Sequence, residues 1–165
     1  MTKIKAEDAF RTADAFAIAC GVLETEAKAG RAVILSFVRA TLEALTLEMY
    51  LKSLLLMENS EHRRGHDLYK LFNYLNPKTR GELSRDFDKN TARNLAFLAE
   101  AKMRKTPIDL KSLLILGRHS FSDFRYPHEL KGRSQTVFGL KGLAVCIRRR
   151  ITAIHPEWGE YREKF

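Results

Sequence analysis

The chain has 165 residues, 29 of them basic and 20 acidic, with a net charge of +9 and a pI near 9.7. That length fits one domain around a single core. Two cysteines, each among apolar neighbours, argue against a disulfide-stapled scaffold, and no apolar run approaches the ~18 residues of a membrane span.

The N-terminal residues MTKIKAEDAF contain no long apolar segment, so a secretory signal is not expected and a cytoplasmic setting is. The charge is uneven. Residues 1–100 carry 15 basic and 14 acidic side chains, whereas residues 101–165 carry 14 and 6, a balance of +1 against +8. A basic segment of this kind favours polyanionic partners, RNA among them, although a solvated basic surface has the same composition.

In chain order, residues 6–28 are Ala-rich, free of proline and apolar at helical spacing, which predicts a helix with Gly21 as its weak point. Residues 31–57 predict a longer and more apolar helix, paired with the first as an antiparallel hairpin. ENSEHRRGH, residues 58–66, reads as a polar loop. Leu68, Leu71, Phe72 and Leu75 then follow i, i+3, i+4, i+7 spacing, so residues 67–75 predict a short amphipathic helix with Asp67 as N-cap.

Asn76-Pro77 is a second start signal, for a charged helix over residues 77–88. Thr91 begins another over 91–104. Thr106-Pro107 repeats the signal, with Gly117 as a stop. RHSFSDFRY, residues 118–126, runs into Pro127. Residues 134–155 predict the last long helix, which Pro156 ends before a short tail. No segment alternates with period two. The expected fold is all-α: a single domain, its core over residues 30–155, forming an up-and-down bundle of about five to seven helices.

Within the second helix, Glu48 and Lys52 interrupt an apolar run. At about 100° per residue, Lys52 lies about 40° from Glu48, and Ile34, Phe37, Leu45 and Leu55 share that side. Arg39, Glu43, Thr46 and Ser53 form a polar stripe elsewhere, which reads as the solvent face. A charge on a core face is costly unless paired. Glu at i and Lys at i+4 is the favourable order, and a further group should meet the pair: His66, Arg125, a helix end or a ligand. Two readings stand, a polar clamp that fixes helix docking and the lining of a cleft.

LEMYLKSLLL, then GHDLYKLFNYL after the polar loop, then FRYPHE before the last helix, resembles the HEPN-like superfamily. The residues that carry the resemblance are Glu48 and Lys52, Gly65, His66, Asp67 and Leu68 with Leu71, and Arg125, Tyr126 and Glu129, in order across residues 30–155. The resemblance implies a four- to five-helix up-and-down bundle that commonly forms a homodimer. Many members act in RNA-centred conflict systems such as toxin–antitoxin pairs and phage defence. RNA, an antitoxin or another protein are then the implied partners. Active members cleave RNA without a metal, through an Arg–x4–6–His motif assembled across the dimer. Others bind nucleic acid or nucleotides, or serve as scaffolds.

Arg148, Arg149 and Arg150 each stand at a permitted offset from His155. The chemistry suits cleavage: a histidine titrates in the range needed to move protons, and an arginine is a fork-shaped phosphate ligand. Arg150 and His155 are therefore the candidate catalytic pair. On a regular helix they lie about 140° apart, and Ile151 follows Arg150 where the family usually carries a polar residue. A basic helix end is the other reading.

A second constellation lies in RHSFSDFRYPHE. Arg118, His119 and His128, with Arg148 and Arg149, are nucleic-acid-binding candidates, and the interleaved aromatics offer stacking surfaces. Phe121 and Phe124 read in preference as core anchors at i, i+3. Arg125 and Glu129 join Glu48, Lys52 and His66 in an expected buried polar cluster. No P-loop, dinucleotide fingerprint or nucleophile elbow occurs, and no Cys/His set has zinc spacing. No cofactor or metal is expected. The sequence thus supports an RNA-directed HEPN-like protein, binder or endoribonuclease, with a non-catalytic protein-interaction module as the alternative.

Overall fold

A computed structural model describes residues 5–26, 32–59, 64–121 and 140–160, with side chains from residue 35 onward in the second of these spans. All regular structure among them is helical, in eight segments. The α1 (Ala6–Glu26) and α2 (Ala32–Asn59) helices form the predicted antiparallel hairpin. Their cross-contacts run in opposite directions along the two helices. Ser53 donates to the Ala6 carbonyl at 2.8 Å, Tyr50 donates to Asp14, and the Cys20 thiol lies 3.8 Å from the Arg39 carbonyl.

The α3 helix (Leu68–Tyr74) packs on α2, and α6 (Leu110–Leu116) packs on α3. Between them in sequence run α4 (Pro77–Arg93) and α5 (Leu95–Arg104). The α7 helix (Leu140–Ile154) lies against α2, α4 and α6, burying Leu140, Leu143, Ile147 and Ile151 at helical spacing. The short α8 (Pro156–Gly159) turns back to α1, where Trp158 sits 5.7 Å from the ring of Phe10. None of these helices is long and apolar enough to cross a membrane.

Local signals place several helix ends. Asp67 caps α3, its carboxylate accepting from the Lys70 amide at 3.0 Å. Asn76 precedes Pro77 as expected, but its side chain makes no cap bond. Its backbone amide donates instead to Glu58 at 2.8 Å, tying the end of α2 to the start of α4. Two predicted starts move. The α4 helix continues through Thr91, and the break falls at Asn94, whose side chain accepts from the Phe97 amide at 3.0 Å. Asp109, not Thr106, caps α6, accepting from the Ser112 amide at 2.8 Å. In both places a short carboxylate or amide next to a free amide outcompetes threonine.

The predicted solvent stripe of α2 is corrected. Ser53 is 0% exposed and Thr46 5% exposed. That side of α2 faces α1, and the two hydroxyls are satisfied by helix carbonyls, Ala6 for Ser53 and Leu42 for Thr46. Here α2 has neighbours on both sides, so Thr46 and Ser53 mark a helix–helix contact, while Arg39 and Glu43 of the same stripe stay part-exposed. Phe37, assigned to the core face, is half-exposed.

Candidate functional site

Glu48 and Lys52 are buried, at 2% and 9% exposure, as the position on the wheel requires. Lys52 donates to Glu48 at 2.7 Å. The further group that meets them is His66, whose Nδ1 lies 3.0 and 2.9 Å from the two carboxylate oxygens. An ionised carboxylate only accepts, so Nδ1 carries the hydrogen and donates. The imidazole is half-exposed. Glu48 therefore connects a buried ammonium to a ring at the surface.

The Gly65-His66-Asp67-Leu68 stretch builds this arrangement one residue at a time. Gly65 has φ +102°, a left-handed conformation open to glycine, and turns the loop back onto α2. His66 reaches Glu48. Asp67 caps α3 and also accepts from Arg118 through Nε at 3.1 Å and through a second guanidinium nitrogen. Leu68 is fully buried, and its amide donates to the Arg118 carbonyl at 3.0 Å. Phe121 completes the enclosure, its ring centroid 4.5 Å from that of His66. The stretch thus latches α2, α3 and the segment after α6 together. Burial pushes the Asp67 carboxyl up, but Arg118 and the Lys70 amide outweigh it and hold it below its ordinary value.

Chemically, a carboxylate-oriented imidazole can hold or move a proton. Of the predicted cluster, Glu48, Lys52 and His66 come together. Arg125 and Glu129 lie outside the described residues, as does the nucleic-acid candidate His128. Among the other candidates, Arg118 is engaged with Asp67, while His119 and Arg149 are exposed.

The C-terminal arginines have separate positions. Arg148 grips Asp14 of α1 with two hydrogen bonds, 2.9 Å from Nε and 3.1 Å from a terminal nitrogen. Tyr50 donates to the same carboxylate, and Asp14 is 3% exposed. The Asp14 hydrogen bond outweighs burial and raises the Arg148 guanidinium above its ordinary range. Arg150 pairs with Glu82 of α4 and donates to Thr79 at 3.3 Å, and Thr79 in turn donates to Glu58. His155 sits past the end of α7, stacked on Trp158 at 4.1 Å with 6° between planes and 3.0 Å from Glu157. The two members of the candidate catalytic pair therefore hold different partners.

Asp14, Tyr50, Glu58, Thr79 and Glu82 were not singled out by sequence. Nothing in local spacing marks them, except that Asp14 stands four residues from the buried Phe10 on one helix face. Their pairings have a common direction. Arg118, Lys141, Arg148 and Arg150, all in the basic segment, bond to Asp67, Glu24, Asp14 and Glu82 of the first hundred residues. The charge asymmetry along the chain is thus partly folded into ion pairs between its halves.

Both cysteines are free thiols. Cys146 is buried in the core and accepts from Asn90 at 3.1 Å. Among the described residues no group of three or more His, Cys, Asp or Glu side chains could hold a metal ion. Comparison of the chain with protein-family models, curated proteins and solved structures gives no match.

Proposed function

We propose that this chain is a HEPN-like helical module that engages RNA by binding and does not cleave it. The observation that carries the reading is the separate commitment of Arg150 to Glu82 and Thr79, and of His155 to Trp158 and Glu157. A cleavage site needs a cation at the phosphorane and an imidazole at the attacking hydroxyl, within one geometry. Here each group is held by neighbours that stabilise the fold. The net charge of +9 supports RNA as ligand, with Arg149 and His119 exposed for phosphate contact.

The pairing between the two halves of the chain favours a second reading, a non-catalytic module whose partner is another protein. Ion pairs that consume part of the basic segment leave a mixed surface. RNA binding and cleavage measured on the same purified sample at two salt concentrations separates the readings. Binding that weakens steeply with salt, with no cleavage by wild type, His155→Ala or Arg150→Ala, is the expected result. Cleavage abolished by both substitutions, in folded variants, would overturn the binding-only reading. Indifference to RNA at low salt would remove RNA altogether and leave the protein partner.

A further inference from the structure

On the side of the molecule formed by α3, α4 and α6 lies an open cleft of about 390 Å³ whose two cations the sequence motifs did not mark. That volume lies in the range of small-molecule sites. Phe72 and Leu114, both buried, form its apolar floor, and Ser84 supplies a hydroxyl. Its charged lining residues are Arg80 and Lys111, and no acidic residue lines it.

Arg80 differs from the three arginines of the ion pairs described above. Arg118, Arg148 and Arg150 each hold a carboxylate. The partner of Arg80 is the neutral side-chain oxygen of Asn73, at 3.1 Å, and its Nε is buried without a hydrogen-bond partner. Arg80 as a whole is part-exposed, and among the described residues no carboxylate pairs with its guanidinium. A bound anion would give the guanidinium's terminal nitrogens a charged partner, and the Lys111 ammonium, which also lines the cleft, would add to the field.

Gly81 leaves the cleft wall open, as Gly21 leaves the surface of α1 open. It stands inside α4, where glycine is unfavourable, and it lines the same cleft. A Cβ built there meets nothing within 4 Å, so packing within the fold does not require glycine. Its missing side chain leaves open space in the cleft wall beside Arg80.

We infer that this cleft binds a small organic anion, with its phosphate or carboxylate between Arg80 and Lys111 and its apolar body against Phe72 and Leu114. The inference does not depend on RNA binding. It concerns a different face from the Glu48–His66 latch and the Arg148 and Arg150 pairs.

Amide chemical-shift mapping on the full chain tests it, with phenyl phosphate and benzoate as probes and inorganic phosphate and benzyl alcohol as comparisons. Saturable shifts centred on Gly81, Ser84 and Lys111 are expected with phenyl phosphate or benzoate. Whichever of the two binds more tightly identifies the head group. Lys111→Met and Arg80→Met are each expected to weaken binding about tenfold or more. Gly81→Leu, which fills the wall and leaves both cations in place, is expected to abolish it. Lys102→Met, on an exposed residue of α5, is expected to leave it unchanged.

Shifts scattered over the basic surface and weakened equally by Lys102→Met would overturn the inference. So would inorganic phosphate binding as tightly as phenyl phosphate, or benzyl alcohol binding as tightly as either anion. Lys111 is exposed, so its variant keeps the test decisive if Arg80→Met fails to fold.

Discussion

Arg148 of α7 holds Asp14 of α1 in a two-point ion pair, across 134 positions of sequence, with the carboxylate almost wholly out of water. Removing one partner strands the other. Arg148→Ala is expected to destabilise the fold by about 3–5 kcal/mol, the range for breaking a buried pair. Asp14→Ala is expected to do so as well, and the double variant to lose less than the sum. Urea denaturation of the four proteins checks this. Additive losses would show that the two groups do not act through each other.

The Glu48 cluster makes a graded prediction. Lys52 is buried and His66 half-exposed, though both donate to one carboxylate. Lys52→Ala is expected to cost about 3 kcal/mol or more. His66→Ala is expected to cost about 1 kcal/mol, the net value of one hydrogen bond. Equal losses in denaturant titrations would contradict the burial difference.

Two glycines are expected to respond with opposite sign. Gly81→Ala adds a methyl group into open space within a helix and is expected to stabilise by up to about 1 kcal/mol. Gly117 is buried, and a Cβ there would lie 2.6 Å from Leu140 of α7 and 3.3 Å from the Leu113 carbonyl. Gly117→Ala is expected to destabilise by about 1–3 kcal/mol through overpacking. Thermal melts of the two variants on either side of wild type would bear this out.

Acid sensitivity follows from Asp67 and Glu82. Burial opposes ionisation of Asp67 but Arg118 prevails, and Arg150 holds Glu82 below its ordinary value. A carboxyl whose folded pKa is depressed is deprotonated in the native state while the unfolded chain takes up protons. Stability then rises with pH in that window. The contribution is present above about pH 4, the ordinary carboxylate value, and is lost as pH falls through the lower folded values. Asp67→Asn with Glu82→Gln is expected to be less stable than wild type at pH 7 but to lose less stability on acidification. Parallel stability curves would refute the assignment.

Burial, reinforced by Glu43, pushes the Cys20 thiol up to about 11, and burial also raises Cys146. Both thiols are therefore expected to react slowly with a disulfide reagent at pH 8 in the native state and at once in denaturant. Rapid labelling of native protein would show a more open environment. The raised value of Cys20 also contributes stability below about pH 9, lost as pH rises toward 11.

The fold class was legible because helical periodicity is local. The apolar positions of α7 and the Asp67 cap could be read from a few neighbouring residues. The burial of Glu48 and Lys52 was legible for the same reason, since they share a helix face with leucines. The polar stripe of α2 was misread because a wheel gives a direction without saying what lies there. Ser53 points at α1 and donates to its Ala6 carbonyl. Helix starts at Asn94 and Asp109 were missed because several residues nearby could cap, and small differences in hydrogen bonding decide between them. The pairs Asp14–Arg148 and Glu82–Arg150 join distant segments and leave no periodic trace. The α3–α4–α6 cleft likewise depends on three helices meeting.

The ion pairs between early and late segments also set an order of events during synthesis. Until α7 emerges, the chain has made Asp14, Glu24 and Glu82 but not the bases that neutralise them. At about 5–20 residues per second, that interval lasts several seconds. The α1–α2 hairpin can close in that time, with Asp14 bonded to Tyr50 but not yet to Arg148. Docking of α7 then pairs Asp14 with Arg148 and adds Leu140, Leu143, Ile147 and Ile151 to the core. A nascent chain stalled before α7 would present a hydrophobic, acid-lined groove to chaperones, matching in shape and charge the helix it lacks.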